Sequence, residues 1–303
     1  MSLKTLKGKI RSIDKTRTVT KAMEAVSAAK MRKSQERALS ARPYSRSALR
    51  ILQKLSGSID AINHPLTISG SGTRILVVLI TSDKGLAGNL NSAVLKQLTR
   101  FLKEQNVSIE SADFIAIGRK GAEFVKKRGF TVLLERLNDQ DSVSIEDLSE
   151  VRELLSQKYL TGAYKEVIAL YQNFRSTFEN EPAQRSILPI QTASVREAVL
   201  GITPSKGKFA EAQEEESIFA YTIEPDPESV LNELMPFLLS VLLFHALLES
   251  KAAEHSARMV AMKNASDKAL ELSDALRLEF NKARQALITR EVSEITSGIE
   301  AMN

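Results

Sequence analysis

Two long stretches of this sequence contain nothing that would interrupt a helix. From Lys9 to Arg42, and again from Phe237 to Ser297, there is neither proline nor glycine, the residues that ordinarily end or kink one. Leu3, Leu6, Ile10 and Ile13 fall at alternating spacings of three and four, the apolar seam of a coiled coil. Val19, Met23 and Val26 are expected to resume that seam after a small phase shift. In the last stretch Leu238, Val241, His245, Leu248, Ala252, His255, Met259 and Met262 keep the same alternation, and Ala265, Ala269, Leu272, Leu276, Phe280, Ala283 and Leu287 carry a similar stripe onward. At ~1.5 Å per residue the first helix, Leu3 to Leu55, would be about 80 Å long and the last roughly 90–100 Å. A compact domain of this size is narrower than either. The two rods are therefore expected to pair as an antiparallel coiled coil, with the middle of the chain closing the connection.

Between the rods the period changes. "RILVVLI" (Arg74–Ile80) precedes the turn-rich "TSDKGLAGN" and a helical "LNSAVLKQLTRFLKEQ"; "ADFIAIG", "RKGAEFVKKRG", "FTVLLE", a helical stretch from Ile145 to Leu160 and "EVIALYQNF" follow. Strands alternating with helices imply a parallel sheet with helical cover. "RSILPI" and "FAYTIEP" read as further strands, and "GITPSKGKFAEAQEEES" between them as a polar surface loop. The expected fold class is α/β: a long antiparallel coiled coil of N- and C-terminal helices plus a Rossmann-like α/β domain. The boundaries fall at residues 1–56, 73–225 and 226–303.

The stretch "TVTKAMEAVSAAKMRK" (Thr18–Lys33) presents Ala, Val, Ser and Met where a core helix would present Leu and Ile. Such a shallow seam lets two backbones approach closely, at a cost in buried area worth only ~25 cal/mol per Å². Basic residues crowd the rest of this helix: Met1 to Lys54 holds fifteen Lys and Arg against three Asp and Glu, a local charge of +12 in a chain whose net charge is +5. So uneven a block points to nucleic acid, an anionic membrane or an acidic protein partner. Nucleic acid is disfavoured, because the charges occupy several faces and Tyr44 is the only aromatic ring of the segment available for stacking on bases.

With no cysteine in the chain, disulfides, thiolate metal sites and cysteine nucleophiles are excluded together. The N-terminus alternates Lys or Arg with apolar residues and does not read as a secretory signal. The apolar run "LMPFLLSVLLFHALL" contains Pro236 and His245 and reads as shorter than the ~18–20 residues of a spanning helix; the chain is expected to be soluble.

"SDKGLAGN" lies between a strand and a helix start, where backbone amides attract anions, but it has neither the Walker spacing nor a Gly-x-Gly-x-x-Gly series. A tight turn is the better reading, with Asp83 as a turn or cap residue. His245 and His255 stand ten residues apart, not at the i, i+4 spacing of a shared metal; they read as polar seam residues that fix helix register. No nucleophile–base set appears. No catalytic residue, metal site or cofactor is expected.

"TVTKAMEAVSAAKMRKSQ", "ESKAAEHSARMVAMKNASDKA" and "FNKARQALITREVSEITSG", with "SDKGLAGNLN" and "YTIEPDPESVL" between them, closely resemble the gamma subunit family of the F-type rotary ATP synthase over essentially the whole chain. The resemblance implies a central rotor shaft without bond chemistry of its own. It implies as partners three alpha and three beta subunits, epsilon and the membrane-embedded ring of c subunits. It further implies a peripheral position on the cytoplasmic side of a bacterial inner membrane, the matrix side of the mitochondrial inner membrane being the alternative. Carried over by motif, Arg258, Arg284, Gln285 and Thr289 resemble the family's contacts with the beta catch loops. Met23 and Lys30 resemble the segment near the lower rim of the alpha–beta ring. The plain alternative for all six is exposed rod polarity. The chain departs from the family in "GLAGNLN", which lacks a common cysteine, in Arg290 where Gln is usual, and in a polar C-terminal end containing Glu300.

Overall fold

The computed structural model describes residues 2–55, 64–139, 143–191 and 226–300, with side chains omitted at residues 38, 39, 41–46, 48–50, 52–55, 227 and 298–300. Two helices bracket the chain, α1 (Leu3–Leu55) and α5 (Pro227–Glu300). By contacts the chain divides into two bodies, one made of Met1–Ser27 with Arg258–Asn303 and one of Ala28–Ala257. The expected strand "FAYTIEP" and the polar loop of residues 201–217 lie outside the described residues.

The first body is a pair of helical segments. On α1 the covered positions include Leu3, Leu6, Ile10, Ile13, Arg17, Thr20, Glu24 and Ser27, an alternation of three and four, with Asp14 and the expected Met23 partly covered beside it. Val19 and Val26, expected in the seam, are 58% and 53% exposed, whereas Thr20 and Ser27 are buried. On α5 the seam runs through Met259, Met262, Ser266, Ala269, Ser273, Leu276, Phe280 and Ala283, while the expected Leu272 and Leu287 are 48% and 45% exposed. The physical reason is size and hydrogen bonding. A hydroxyl can be buried at a close seam when it is satisfied locally, as Thr20 Oγ1 donates to the Arg17 carbonyl at 3.0 Å. Asp14 bridges the helices, accepting from Ser273 Oγ at 2.7 Å and Arg277 Nη2 at 3.0 Å. These bonds, Ser273 first, hold the Asp14 carboxyl below its usual range.

The second body contains a five-stranded sheet, β1 (Arg74–Ile80), β2 (Ala112–Ile117), β3 (Thr131–Arg136), β4 (Tyr164–Phe174) and β5 (Asn180–Leu188), in the order β3-β2-β1-β4-β5. The first four strands are parallel, but β5 pairs antiparallel with β4, so the sheet is mixed rather than wholly parallel. The turn from Arg175 to Glu179 is too short for a crossover, which leaves a hairpin as the only connection. Alternate residues of β1 supply two cores. Ile75, Val77 and Leu79 pack with Val94, Leu98 and Phe101 of α2 (Leu90–Glu104) and with Val125 of α3 (Arg119–Lys127). Leu76, Val78 and Ile80 share the opposite core with Val151 and Leu155 of α4 (Ser149–Leu160) and with Leu238, Leu242 and Leu247 of α5.

α5 begins ten residues before the breaker-free stretch. Asp226 Oδ1 accepts from the Ser229 backbone amide at 2.8 Å, capping the helix while Pro227 takes the first turn, where its missing N–H costs nothing. Pro236 lies inside the helix and does not end it. One part of α5 is long and apolar enough to cross a membrane by length and composition, so the run read as too short passes that test once flanking residues, Glu233 or Glu249 among them, are counted. Most of that stretch is buried, and its leucines pack on the sheet. This burial accounts for its apolarity.

Candidate functional site

At the carboxyl end of β1, where an open α/β sheet commonly receives a ligand, the space is filled by the chain itself. Asp83 Oδ1 accepts from the Arg119 backbone amide at 2.7 Å, at the start of α3, and its Oδ2 accepts from the Asn138 amide at 2.7 Å. Asn138 Nδ2 donates to the Thr81 carbonyl at 2.8 Å, and Thr81 Oγ1 accepts from the Gly121 amide at 2.8 Å. A Cβ on Gly118 would stand 2.1 Å from the Thr81 carbonyl oxygen, and its φ is +107°, so only glycine fits there. Ala87 and Leu90 of the "SDKGLAGN" loop and its helix start pack on Ala253 of α5. Asp83 thus accepts at the start of α3 and from the segment after β3, in keeping with its reading as a cap residue.

The same end of this body buries charge that periodicity does not reveal. Glu249 accepts from the Tyr171 hydroxyl at 2.6 Å and lies 3.6 Å from Arg185 Nη2, and Lys251 Nζ donates to the Asn138 carbonyl. Burial pushes the Glu249 carboxyl up, against the pull of Arg185 and Tyr171. A carboxyl raised on folding contributes stability that is complete below its unfolded value, ~4.3, and lost as pH rises through the folded value. Glu249→Gln keeps an acceptor for Tyr171 and cannot ionise. Its urea midpoint, relative to the wild-type chain, is therefore expected to improve as pH rises above the usual carboxylate range; a gap independent of pH would contradict the assignment.

His245 and His255 are buried in α5. His64 Nδ1 accepts from the Leu66 amide at 3.1 Å, and burial lowers its pKa. Among the described residues no cluster of three or more potential ligands could hold a metal ion.

In the first body the seam stops at Ala283, and every residue from Arg284 to Ser297 is exposed. Arg284, Gln285 and Thr289 stand together on this bare stretch. The Thr289 hydroxyl donates to the Gln285 carbonyl at 3.0 Å, which leaves its oxygen able to accept. At 3.6 residues per turn, Ile288 and Val292 lie between Arg284 on one side and Gln285 and Thr289 on the other. The two apolar side chains are 50% and 56% exposed, giving an apolar strip with hydrogen-bonding edges. Arg258 is half-buried and about 39 Å back along the helix by its rise per residue, so it does not join this group. Met23 and Lys30 are each half-buried on α1.

A mixed α/β sheet flanked in the chain by a long N-terminal and a longer C-terminal helix is an architecture shared with chains of the central stalk of rotary complexes. A chain of the Euglena gracilis mitochondrial ATP synthase, solved as OSCP/F1/c-ring in rotational state 3, matches with a TM-score of 0.63 and 18% identity over 99% of this chain and 94% of that one. The rotor of the Euglena enzyme in state 1 matches at 0.60 with 19% identity over 94% and 98%. The central stalk of the Tetrahymena thermophila mitochondrial enzyme matches at 0.58 with 22% identity over 82% and 99%. The family model for ATP synthase matches residues 2–302, and the ATP synthase gamma chain of Pelotomaculum thermopropionicum is 36% identical over 301 residues, 99% of both chains. The chain belongs to the ATP synthase gamma-chain family.

Proposed function

We propose that this chain is the central shaft of a proton-translocating F-type ATP synthase, and that it does no bond chemistry itself. Its turning face biases the catalytic beta subunits among open, loose and tight states, as a ligand with unequal contacts biases a bistable element. Its partners are three alpha and three beta subunits, epsilon and the c-subunit ring, and no nucleic acid or cofactor. It works as a peripheral protein on the cytoplasmic side of a bacterial inner membrane. The 36% identity to the Pelotomaculum chain, against 18–22% to the mitochondrial rotor chains, favours that side over the mitochondrial matrix. In function we divide the chain at 1–56, 73–225 and 226–303, which keeps each long helix whole where the compact bodies cut both.

The observation that carries the reading is the bare end of α5. Arg284, Gln285 and Thr289 present a forked cation, an amide and a hydroxyl beside an exposed apolar strip, a set suited to breakable directional contacts with protein loops. We assign them to the beta catch loops together with Arg258, and Met23 and Lys30 to the rim of the alpha–beta ring. Gln285→Ala and Arg258→Ala are each expected to lower proton-driven ATP synthesis in reconstituted vesicles about fivefold, the worth of one net hydrogen bond, with circular dichroism of the chain unchanged. Normal synthesis by both variants would remove those assignments.

A further inference from the structure

Residues Glu249 to Ser256 of α5 are all buried, and three of them make directional bonds to different parts of the sheet body. Glu249 accepts from Tyr171 of β4 at 2.6 Å. Ser256 Oγ donates to the Thr177 carbonyl in the β4–β5 turn at 2.5 Å. Lys251 donates to the Asn138 carbonyl beyond β3, and Asn138 is itself tied to Asp83 and Thr81 at the end of β1. Each residue turns an α-helix by about 100°. Glu249 and Ser256, seven apart, therefore face one side, and Lys251, about 200° from Glu249, faces the other.

The preceding turns of α5 are held by leucines against the sheet. Burial of apolar surface is non-directional; it resists withdrawal of the helix but only weakly resists rotation about its axis or sliding along it. Hydrogen bonds tolerate neither, because they weaken steeply with angle and distance. Bonds on opposite sides within about 10 Å of axis, seven residues of rise, fix both the azimuth and the register of α5.

We propose that Glu249, Lys251 and Ser256 form a polar cuff that locks α5 against slip in the α/β body, so that load on that body enters the helix as torque. The inference rests on the rotor reading above. These are positioning residues: none is assigned to a partner contact, and their role is to keep the azimuth of a helix that continues unbroken to Glu300.

The test uses the whole ATP synthase in inverted membrane vesicles, with ATP hydrolysis and ATP-driven acidification measured on the same preparation. Lys251→Met with Ser256→Ala removes a bond from each side of the cuff. It is expected to leave hydrolysis close to wild type while acidification per ATP falls about thirtyfold, as two lost net hydrogen bonds would allow. Lys251→Arg with Ser256→Ala keeps a donor on one side and is expected to limit the fall to about fivefold. Wild-type acidification per ATP in the first double variant would overturn the proposal. So would a parallel loss of hydrolysis and acidification in both double variants, which would reduce the residues to a folding role. Hydrolysis without acidification in the wild-type complex would instead count against the rotor reading.

Discussion

Asp113→Ala is expected to destabilise the chain by about 2–3 kcal/mol, the cost of taking a buried, doubly bonded acceptor from its two donors. Asp113 is 2% exposed on β2 and accepts from Arg74 Nη2 of β1 at 2.6 Å and from the Tyr164 hydroxyl of β4. One carboxylate thus ties together the beginnings of three neighbouring strands. Removing it leaves a buried phenol and a half-exposed guanidinium without their acceptor. Asp113→Asn keeps the shape and a carbonyl for Tyr164, so its loss should be about half as large. The tyrosine supplies an independent readout. Burial, followed by the Asp113 carboxylate, pushes Tyr164 up to about 12, and in Asp113→Asn its spectroscopic titration should move back toward 10. Unfolding curves of both variants that overlay the wild type would refute the strand clamp.

Asp83→Ala should cost about 2–4 kcal/mol, because two backbone amides at 2.7 Å, one of them opening α3, lose a charged acceptor in a buried place. Asp83→Asn retains one oxygen and should lose less. Proteolysis is expected to open the loop after Ile80 first, since Thr81, Asp83, Arg119 and Asn138 belong to one network. If Asp83→Ala unfolds within 0.5 kcal/mol of wild type, near the floor for a surface change, the carboxylate is not the keystone of that loop.

Much of the molecule was legible in the residues. The two breaker-free stretches became α1 and α5, the alternation of β-branched runs with amphipathic stretches became the sheet and its cover, and Asp83 proved to be a cap. The errors share a cause. Val19 and Val26 were placed in the seam, and Leu272 and Leu287 with them, because they are the more hydrophobic choices, whereas the seam belongs to Thr20, Ser27, Ser266 and Ser273. A scale of apolarity ranks side chains singly, while a close helix pair selects for small volume and a locally satisfied hydroxyl. In "ESKAAEH" Glu249 and Lys251 are buried, with partners from β4, β5 and the segment after β3, tens of residues away, and no local pattern announces them.

The sequence alone determined what depends on neighbours in the chain: the positions of helices and strands and the basic first helix. Only the tertiary structure decided which face of each rod is buried, that β5 runs antiparallel, and that the sheet's open end is closed by its own carboxylate. Those outcomes turn on distances between segments remote in sequence, where packing volume and the pairing of buried charge set the free energy.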